Sequence, residues 1–473
     1  MATTEPDQVV SVPDAPRSGL DRYFKISDRG SSVKIEILAG VTTWLTMAYI
    51  LFLNPAILGT VPDSQGTTLA FPQVLTVTAL AAGVMTILMG VVARYPFAIA
   101  AGLGLNAFVT FTLVATYGLT WPQAMGVIVI EGLIISVLVL TNLRTMIMDA
   151  IPMDLKRAIG IGIGLFLAII GFFNGGIVVA GAGTVVGINP DLTTLRVLVF
   201  VVTLVLTAAL VARRVRGAIL IGIGVGTLFA ILLNYAWGHE AIWAALPGVG
   251  LWPGSVVDAP DFALVGNFSF GFFSAVGFAT AFALIISVML SDFFDTMGTA
   301  VALGDEAGLL DRDGRLPGIK NVLLVDGLAA AAGGAVSSSS NTTFIESGSG
   351  IGEGGRTGLT AVVVGVLFLL AMFFSPIAGI VPPEATAPAL IIVAYFMMKG
   401  VGEIDWKDPA IGIPALLTMT LMPFTYSITN GIAAGFLSYT VIKMLQGKAR
   451  EVHPLMYLVS AIFVWYYVNG TLA

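Results

Sequence analysis

Five carboxylates stand inside or beside runs of sequence that are otherwise apolar: Glu131, Asp292, Asp295, Asp326 and Glu346. An apolar interior penalises a bare charge by several kcal/mol, so an acid placed there needs a proton, a donor or a ligand. Asp292 and Asp295 belong to Ser291-Asp292-Phe293-Phe294-Asp295-Thr296-Met297-Gly298-Thr299. Helical spacing puts Ser291, Asp292, Asp295 and Thr299 on neighbouring positions of one face, a polar stripe in an apolar helix. Such a face can line a cavity and offer Asp295 to a ligand or a proton; the plainer alternative is a helix end among lipid headgroups. The apolar run Phe278 to Leu290 is long enough to put Asp295 at depth. Glu131 and Asp326 have no polar motif around them, and a hydrogen-bonded packing role is an equal alternative for both.

Glu346 lies in the polar run Ser337-Ser338-Ser339-Ser340-Asn341-Thr342-Thr343-Phe344-Ile345-Glu346-Ser347-Gly348-Ser349-Gly350, flanked by apolar spans. Irregular backbone cannot face lipid, so this run predicts an extended strand followed by a half-helix whose free amides point toward the middle of the membrane. A plain cytoplasmic or re-entrant loop is the alternative. The counterpart in the first half is Ile99 to Phe108, where Gly102 and Gly104 permit a break and Asn106 offers an amide at its edge. Two opposed half-helix ends make a site near the midplane. Thr343 and Ser347 flank Glu346, and Phe108, Phe294 and Phe344 are placed to cover the faces of a flat ligand, although Phe is also ordinary membrane filler.

The elements that must hold these residues are apolar runs of spanning length. They lie near Ile35–Leu53, Val74–Val92, Gln123–Leu140, Ala158–Phe173, Leu195–Val211 and Ala218–Trp237, then near Phe272–Val301, Asn321–Val336, Leu359–Ile377, Ala385–Met398, Ile411–Tyr426 and Ile428–Leu445. Counting Phe97–Ala115 and Ser337–Ile351 as broken spans gives seven in each half. The expected fold is an all-α polytopic membrane protein of fourteen segments arranged as a 7+7 inverted repeat, with short strands and half-helices in segments 3 and 10. With the N-terminus cytoplasmic, the inner loops collect Arg94, Arg144, Lys156, Arg157, Arg213, Arg214, Arg216, Arg312, Arg315, Lys320, Arg356, Lys399 and Lys407, while the outer loop from Gly238 to Phe270 has neither Lys nor Arg. The last apolar stretch, Leu455 to Val468, carries Trp465, Tyr466 and Tyr467 and suits a helix lying at the interface, or a fifteenth span.

Composition agrees with this solvent. Of 473 residues, 57% are hydrophobic and 11% charged, and the mean hydropathy is +0.95. There is no Cys, hence no disulfide, thiolate nucleophile or Cys-ligated zinc. The net charge of -6 argues against a nucleic-acid partner, and the polar segment Met1 to Ser31 reads as a tail without the apolar core of a signal peptide. His239 and His453 fall in a loop and a tail, so no metal site is expected. Gly160, Gly162 and Gly164 imitate a nucleotide motif, but no strand precedes them and helix packing explains them.

At Asp295, Glu346 and Asn106 together, and in the words Phe293-Phe294-Asp295-Thr296-Met297-Gly298-Thr299 and Ser338 through Thr360, the sequence resembles the AzgA-like purine permeases of the nucleobase and ascorbate transporter superfamily. The resemblance runs from about Leu20 to the C-terminus. It implies a transporter and not an enzyme: a proton-coupled symporter taking up adenine, guanine or hypoxanthine across the cell (inner) membrane by alternating access, without cofactor, often as a homodimer in the lipid bilayer. It further implies a core domain (32–145 and 271–380) and a gate domain (146–240 and 381–447), between a cytoplasmic tail (1–31), an extracytoplasmic loop (241–270) and a C-terminal interfacial helix (448–473). Asp295 and Glu346 match the family's acidic positions, and Gly104 and Asn106 its pair on segment 3. The expected substrate contacts are Asp295, Glu346, Asn106, Gly104, Ser347, Phe294, Phe108 and Thr343, with Asp295, Glu346 and Asp292 coupling the proton. An anion transporter of the same fold and an intramembrane aspartyl protease are the competing classes. The first is opposed by an acid at the half-helix, the second by acids set in a repeat.

Overall fold

The structure, a computed structural model, describes residues 18–141, 150–181, 184, 186–238, 242–244, 246, 248–312 and 315–470. Most of the expected tail, Arg144 and His239 lie outside the described residues. In chain order the helices of the first half are α1 (Gly19–Phe24), α2 (Val33–Met47), α3 (Ile50–Leu58), α4 (Phe71–Leu88), α5 (Leu103–Ala107), α6 (Trp121–Leu140), α7 (Met153–Asn174), α8 (Leu195–Ala212) and α9 (Ala218–Trp237). Those of the second are α10 (Phe272–Val276), α11 (Phe278–Glu306), α12 (Ile319–Ala335), α13 (Ser347–Gly352), α14 (Gly358–Ala371), α15 (Ser375–Gly379), α16 (Pro383–Met397), α17 (Pro409–Thr425), α18 (Ile428–Leu445) and α19 (Pro454–Gly470). Short polar residues start them where the apolar runs begin: Ser32 caps α2, Thr120 and Gln123 form a capping box on α6, and Thr194 caps α8. Ten helices among the described residues are long and apolar enough to cross a membrane, counting α2 with α3 as one. The chain is a mostly helical, multi-pass membrane protein. The run expected as one segment from Phe272 is broken at Gly277, whose φ of 76° leaves the helical region and separates α10 from α11.

Two strands meet at the centre. β1 (Ile99–Ala101) and β4 (Asn341–Thr343) pair antiparallel, Ile99 opposite Thr343 and Ala101 opposite Asn341, and all six residues are buried. β1 leads into α5, which continues to Thr116, and β4 leads through a turn into α13. The strands satisfy in each other the backbone groups that a broken helix leaves open. Ser337 and Ser339 take left-handed backbone, with φ of 63° and 75°, to turn the chain out of α12 and into β4. A second hairpin, β2 (Val178–Val179) with β3 (Gly187–Ile188), lies between α7 and α8.

The helices pack in recurring pairs: α4 on α14 and α6 on α12, α8 on α9 and α17 on α18, α7 on α17 and α8 on α16. Glycine permits the closest of these. A Cβ on Gly132 of α6 would lie 2.2 Å from the backbone nitrogen of Ala331 on α12, so no larger residue fits without parting the helices.

The C-terminal helix packs along its neighbour. Ser460 bonds Thr440 at 2.9 Å, Phe463 packs edge-on against Phe436, and Tyr466 and Tyr467 reach Asn430, so α19 runs antiparallel to α18 over most of its length. It also packs on α11, and the Tyr466 hydroxyl bonds that of Tyr117. Met456, Phe463 and Tyr466 bury one face while Leu458, Val464 and Trp465 are exposed.

Candidate functional site

The polar face of α11 opens onto a cavity of about 900 Å³ bounded by α5, α7 and α16; Ser291, Phe294, Asp295 and Thr299 line it, with Gly104 of α5 and Lys156 of α7 opposite. Glu346 borders a second cavity of about 540 Å³, together with Thr46, Ser349, Arg214, Arg216 and Lys399. Phe396 of α16 touches both spaces. The expected single pocket is therefore two adjoining ones. The turn after β4 divides them, because Ile345 faces the larger and its neighbour Glu346 the smaller. The Asp295 and Glu346 carboxylates nevertheless remain within electrostatic range of each other.

Of the expected contacts, Asp295, Phe294 and Gly104 face the larger cavity and Glu346 the smaller. A Cβ on Gly104 would come within 2.4 Å of Ile163 Cγ2, so this glycine sets how closely α5 approaches α7. The Phe294 ring carries Lys156 Nζ 5.3 Å from its centroid, a cation held against one aromatic face. Four others line neither cavity. Phe108 is fully buried as packing, and Asn106 is fully buried with neither amide atom bonded to a partner among the described residues. Thr343 points to Asp326, bonding it through Oγ1 at 2.8 Å, and Ser347 Oγ ties α13 to the strands, accepting from Ala98 N at 2.9 Å and donating to Phe344 O at 2.8 Å. Asp292 is likewise enclosed, away from both spaces. For Thr343 and Ser347 the reason is the strand pairing: residues in or just after a central two-stranded ladder are hemmed in on both faces.

Tyr49, between α2 and α3, was not singled out, yet its phenol donates to Glu346 Oε1. The available signal was a phenol in an apolar run at the break of a span. Thr46 and Ser349 brace the same turn, their hydroxyls 2.8 Å apart and Ser349 Oγ donating to Glu346 O at 2.7 Å. Glu353, just past α13, forms an ion pair with Arg216 from the segment between α8 and α9. Arg157, on the rim of the larger cavity, pairs with Glu403 at 2.8 Å. No group of three or more metal-binding side chains occurs among the described residues.

Chemically, a carboxylate on a cavity wall accepts N–H donors from the edge of a flat heterocycle while an aromatic ring covers its face. The sequence profile of the Permease family, Xan_ur_permease, matches residues 34–434. A putative permease of Methanocaldococcus jannaschii is 39% identical over 95% of this chain and 99% of its own length. The adenine permease AdeP of Escherichia coli is 39% identical over 94% and 95%, and the guanine/hypoxanthine permease PbuG of Bacillus subtilis 38% identical over 94% and 99%. Among solved structures, the transmembrane domain of a cyanobacterial bicarbonate transporter, BicA, superposes with a TM-score of 0.58 over 85% of this chain and 97% of its own, at 14% identity, which speaks for the fold alone.

Proposed function

The chain belongs to the Permease family and is a transporter, not an enzyme; from that premise we propose that it carries purine nucleobases such as adenine, guanine or hypoxanthine into the cell together with protons. The observation that carries this reading is the pair of acids, Asp295 and Glu346, each on a wall of adjoining cavities beside the broken segments. A neutral base presents N–H donors to these carboxylates while Phe294 covers its face and Gly104 leaves room at α5; protonation of Asp295 or Glu346 couples entry to the proton gradient. Asn106, Ser347, Thr343 and Phe108 act from the layer behind. The relatives named as adenine and guanine/hypoxanthine permeases support the substrate class.

In this reading the fourteen segments form a 7+7 inverted repeat. The mirrored packing supports it, since α4 on α14 and α6 on α12 exchange under such a repeat, as do α8 on α9 and α17 on α18, and α7 on α17 and α8 on α16. The core (32–145, 271–380) and the gate (146–240, 381–447) slide past each other to expose the site alternately, in an inner membrane with the N-terminus cytoplasmic, as a homodimer. Competition of labelled hypoxanthine uptake by adenine, guanine, xanthine and uracil over a pH series, in cells lacking other purine carriers, tests it. Purines compete and uracil does not; Glu346→Gln loses uptake, and undiminished uptake by that variant would sink the assignment.

A further inference from the structure

A chain of hydrogen bonds outside the two cavities runs through the buried centre of the fold. Asp326 of α12 makes three of them: with Thr343 N at 2.9 Å and Thr343 Oγ1 at 2.8 Å on one oxygen, and with Thr296 Oγ1 at 2.6 Å on the other. Only the Thr343 N–H has a fixed direction here, because a hydroxyl can either donate to a carboxyl group or accept from one. The Thr296 and Thr342 hydroxyls are 2.6 Å apart, and either can be the donor. The Thr342 hydroxyl also bonds Asp292 of α11, so the chain reaches from Asp326 to Asp292 and each of its hydroxyls can point either way.

At the other end Asp292 bonds Glu131 of α6 directly, and Ser340 Oγ lies 3.3 Å from an oxygen of each acid. One hydroxyl proton cannot serve two carboxylates, and two carboxylates in contact repel unless one carries a proton. Glu131 and Asp292 are fully buried, and Glu131 Oε1 and Asp292 Oδ1 have no hydrogen-bond partner among the described residues, leaving room on the pair for a proton at either acid. The charged groups facing the pair are acids: Asp326 from α12 and Asp295 from α11. The extension of α5 and α10, also packed on α6, bring no charged residue, and Lys320 of α12 binds the carbonyl of Leu140 at the far end of α6.

We infer that the coupling proton taken up at Asp295 passes on to Glu131 and Asp292, which share it, and that Thr342 and Thr296 tie its position to β4 and α11. This rests on the proton-symport reading above. With the proton on Asp292 the chain points from Asp292 through Thr342 and Thr296 to Asp326, and Glu131 is ionised with Ser340 as donor. With it on Glu131, that acid donates to Asp292 and Thr342 turns its own proton from Thr296 to Asp292, so the Thr296–Thr342 contact loses its proton and opens. The pair takes one proton from water on the outer side and returns one on the inner side; only O–H bonds change. Asp295, three residues beyond Asp292 and open to the larger cavity, is its link to water. Thr296 adjoins Asp295 and Thr343 stands three residues before Glu346, so a shift in the chain reaches both walls of the substrate site.

The test uses the full-length carrier in proteoliposomes, with labelled adenine or hypoxanthine, measuring base accumulation, the accompanying proton entry, and base-for-base exchange without a gradient. Glu131→Gln is expected to keep exchange within about threefold of wild type while gradient-driven accumulation falls about tenfold or more and loses its pH dependence. Coupled accumulation by Glu131→Gln with the wild-type pH profile overturns the inference. If Glu131→Gln does not fold, Thr342→Ser and Thr342→Val decide: the serine keeps coupling and the valine uncouples, and equal coupling in the two overturns it. A wild type that carries base without protons overturns the symport reading itself, which this inference then follows; a wild type that is coupled, with variants unaltered, overturns this inference alone.

Discussion

Glu346 is held by a phenol, and that contact makes the clearest residue-level prediction. Tyr49→Phe removes the donor to Glu346 Oε1 with little change of shape. A hydrogen bond to a charged group is worth about 1.5 to 3 kcal/mol, so the variant should bind base about tenfold or more weakly, read as a raised KM for uptake at unchanged expression. Asp295 makes a second. If its carboxylate must take a proton from the outer side, uptake falls as the outside pH rises, and Asp295→Asn, neutral at every pH, retains no such dependence. A pH–uptake profile of the two proteins side by side checks the sign.

At the scale of elements, the function depends on how closely α5 and α7 approach. Gly104→Ala sets a methyl against Ile163 and should slow uptake about tenfold, and Ile163→Ala in the same chain should restore part of the loss. A recovery in the double variant that the singles lack identifies the spacing, not the glycine itself, as what transport needs. The α6–α12 seam is different in kind. Its close neighbour to Gly132 is backbone, so Gly132→Val has no flexible atom to displace, and the cost of about 1 to 3 kcal/mol should appear as a lower melting temperature in detergent.

For the whole molecule, the packing of α19 decides where the chain ends. It runs alongside α18 and is bonded near its far end to Tyr117, and a reporter fused after the C-terminus is expected on the side opposite to one fused at the N-terminus. Both reporters on the same side would return α19 to the interface. The Arg216–Glu353 ion pair joins the segment between α8 and α9 to the end of α13. In the two-domain reading this pair breaks when the domains move, so Arg216→Ala should change the rate of exchange more than the affinity for base.

Much of this molecule was legible in its residues. Long apolar runs read as membrane spans, because a bilayer leaves the backbone no partner but its own, and the polar run from Ser337 to Gly350 between two of them read as a break enclosed by protein, with a plain loop as the alternative. The intramembrane acids were visible for the same reason: lipid makes a carboxylate conspicuous. Which way each acid points was not legible. Helical spacing put Asp292 and Asp295 on one face, yet the packing of α6 and β4 encloses the first while the second opens on a cavity. Thr343 and Ser347 lie on either side of Glu346 in the chain and turn inward, whereas Tyr49, nearly three hundred residues away, supplies the donor. Local sequence carries the solvent an element must face, since each residue's transfer energy is its own. The partner of a polar atom is set by which helices meet, and that long-range choice exists only in the folded chain.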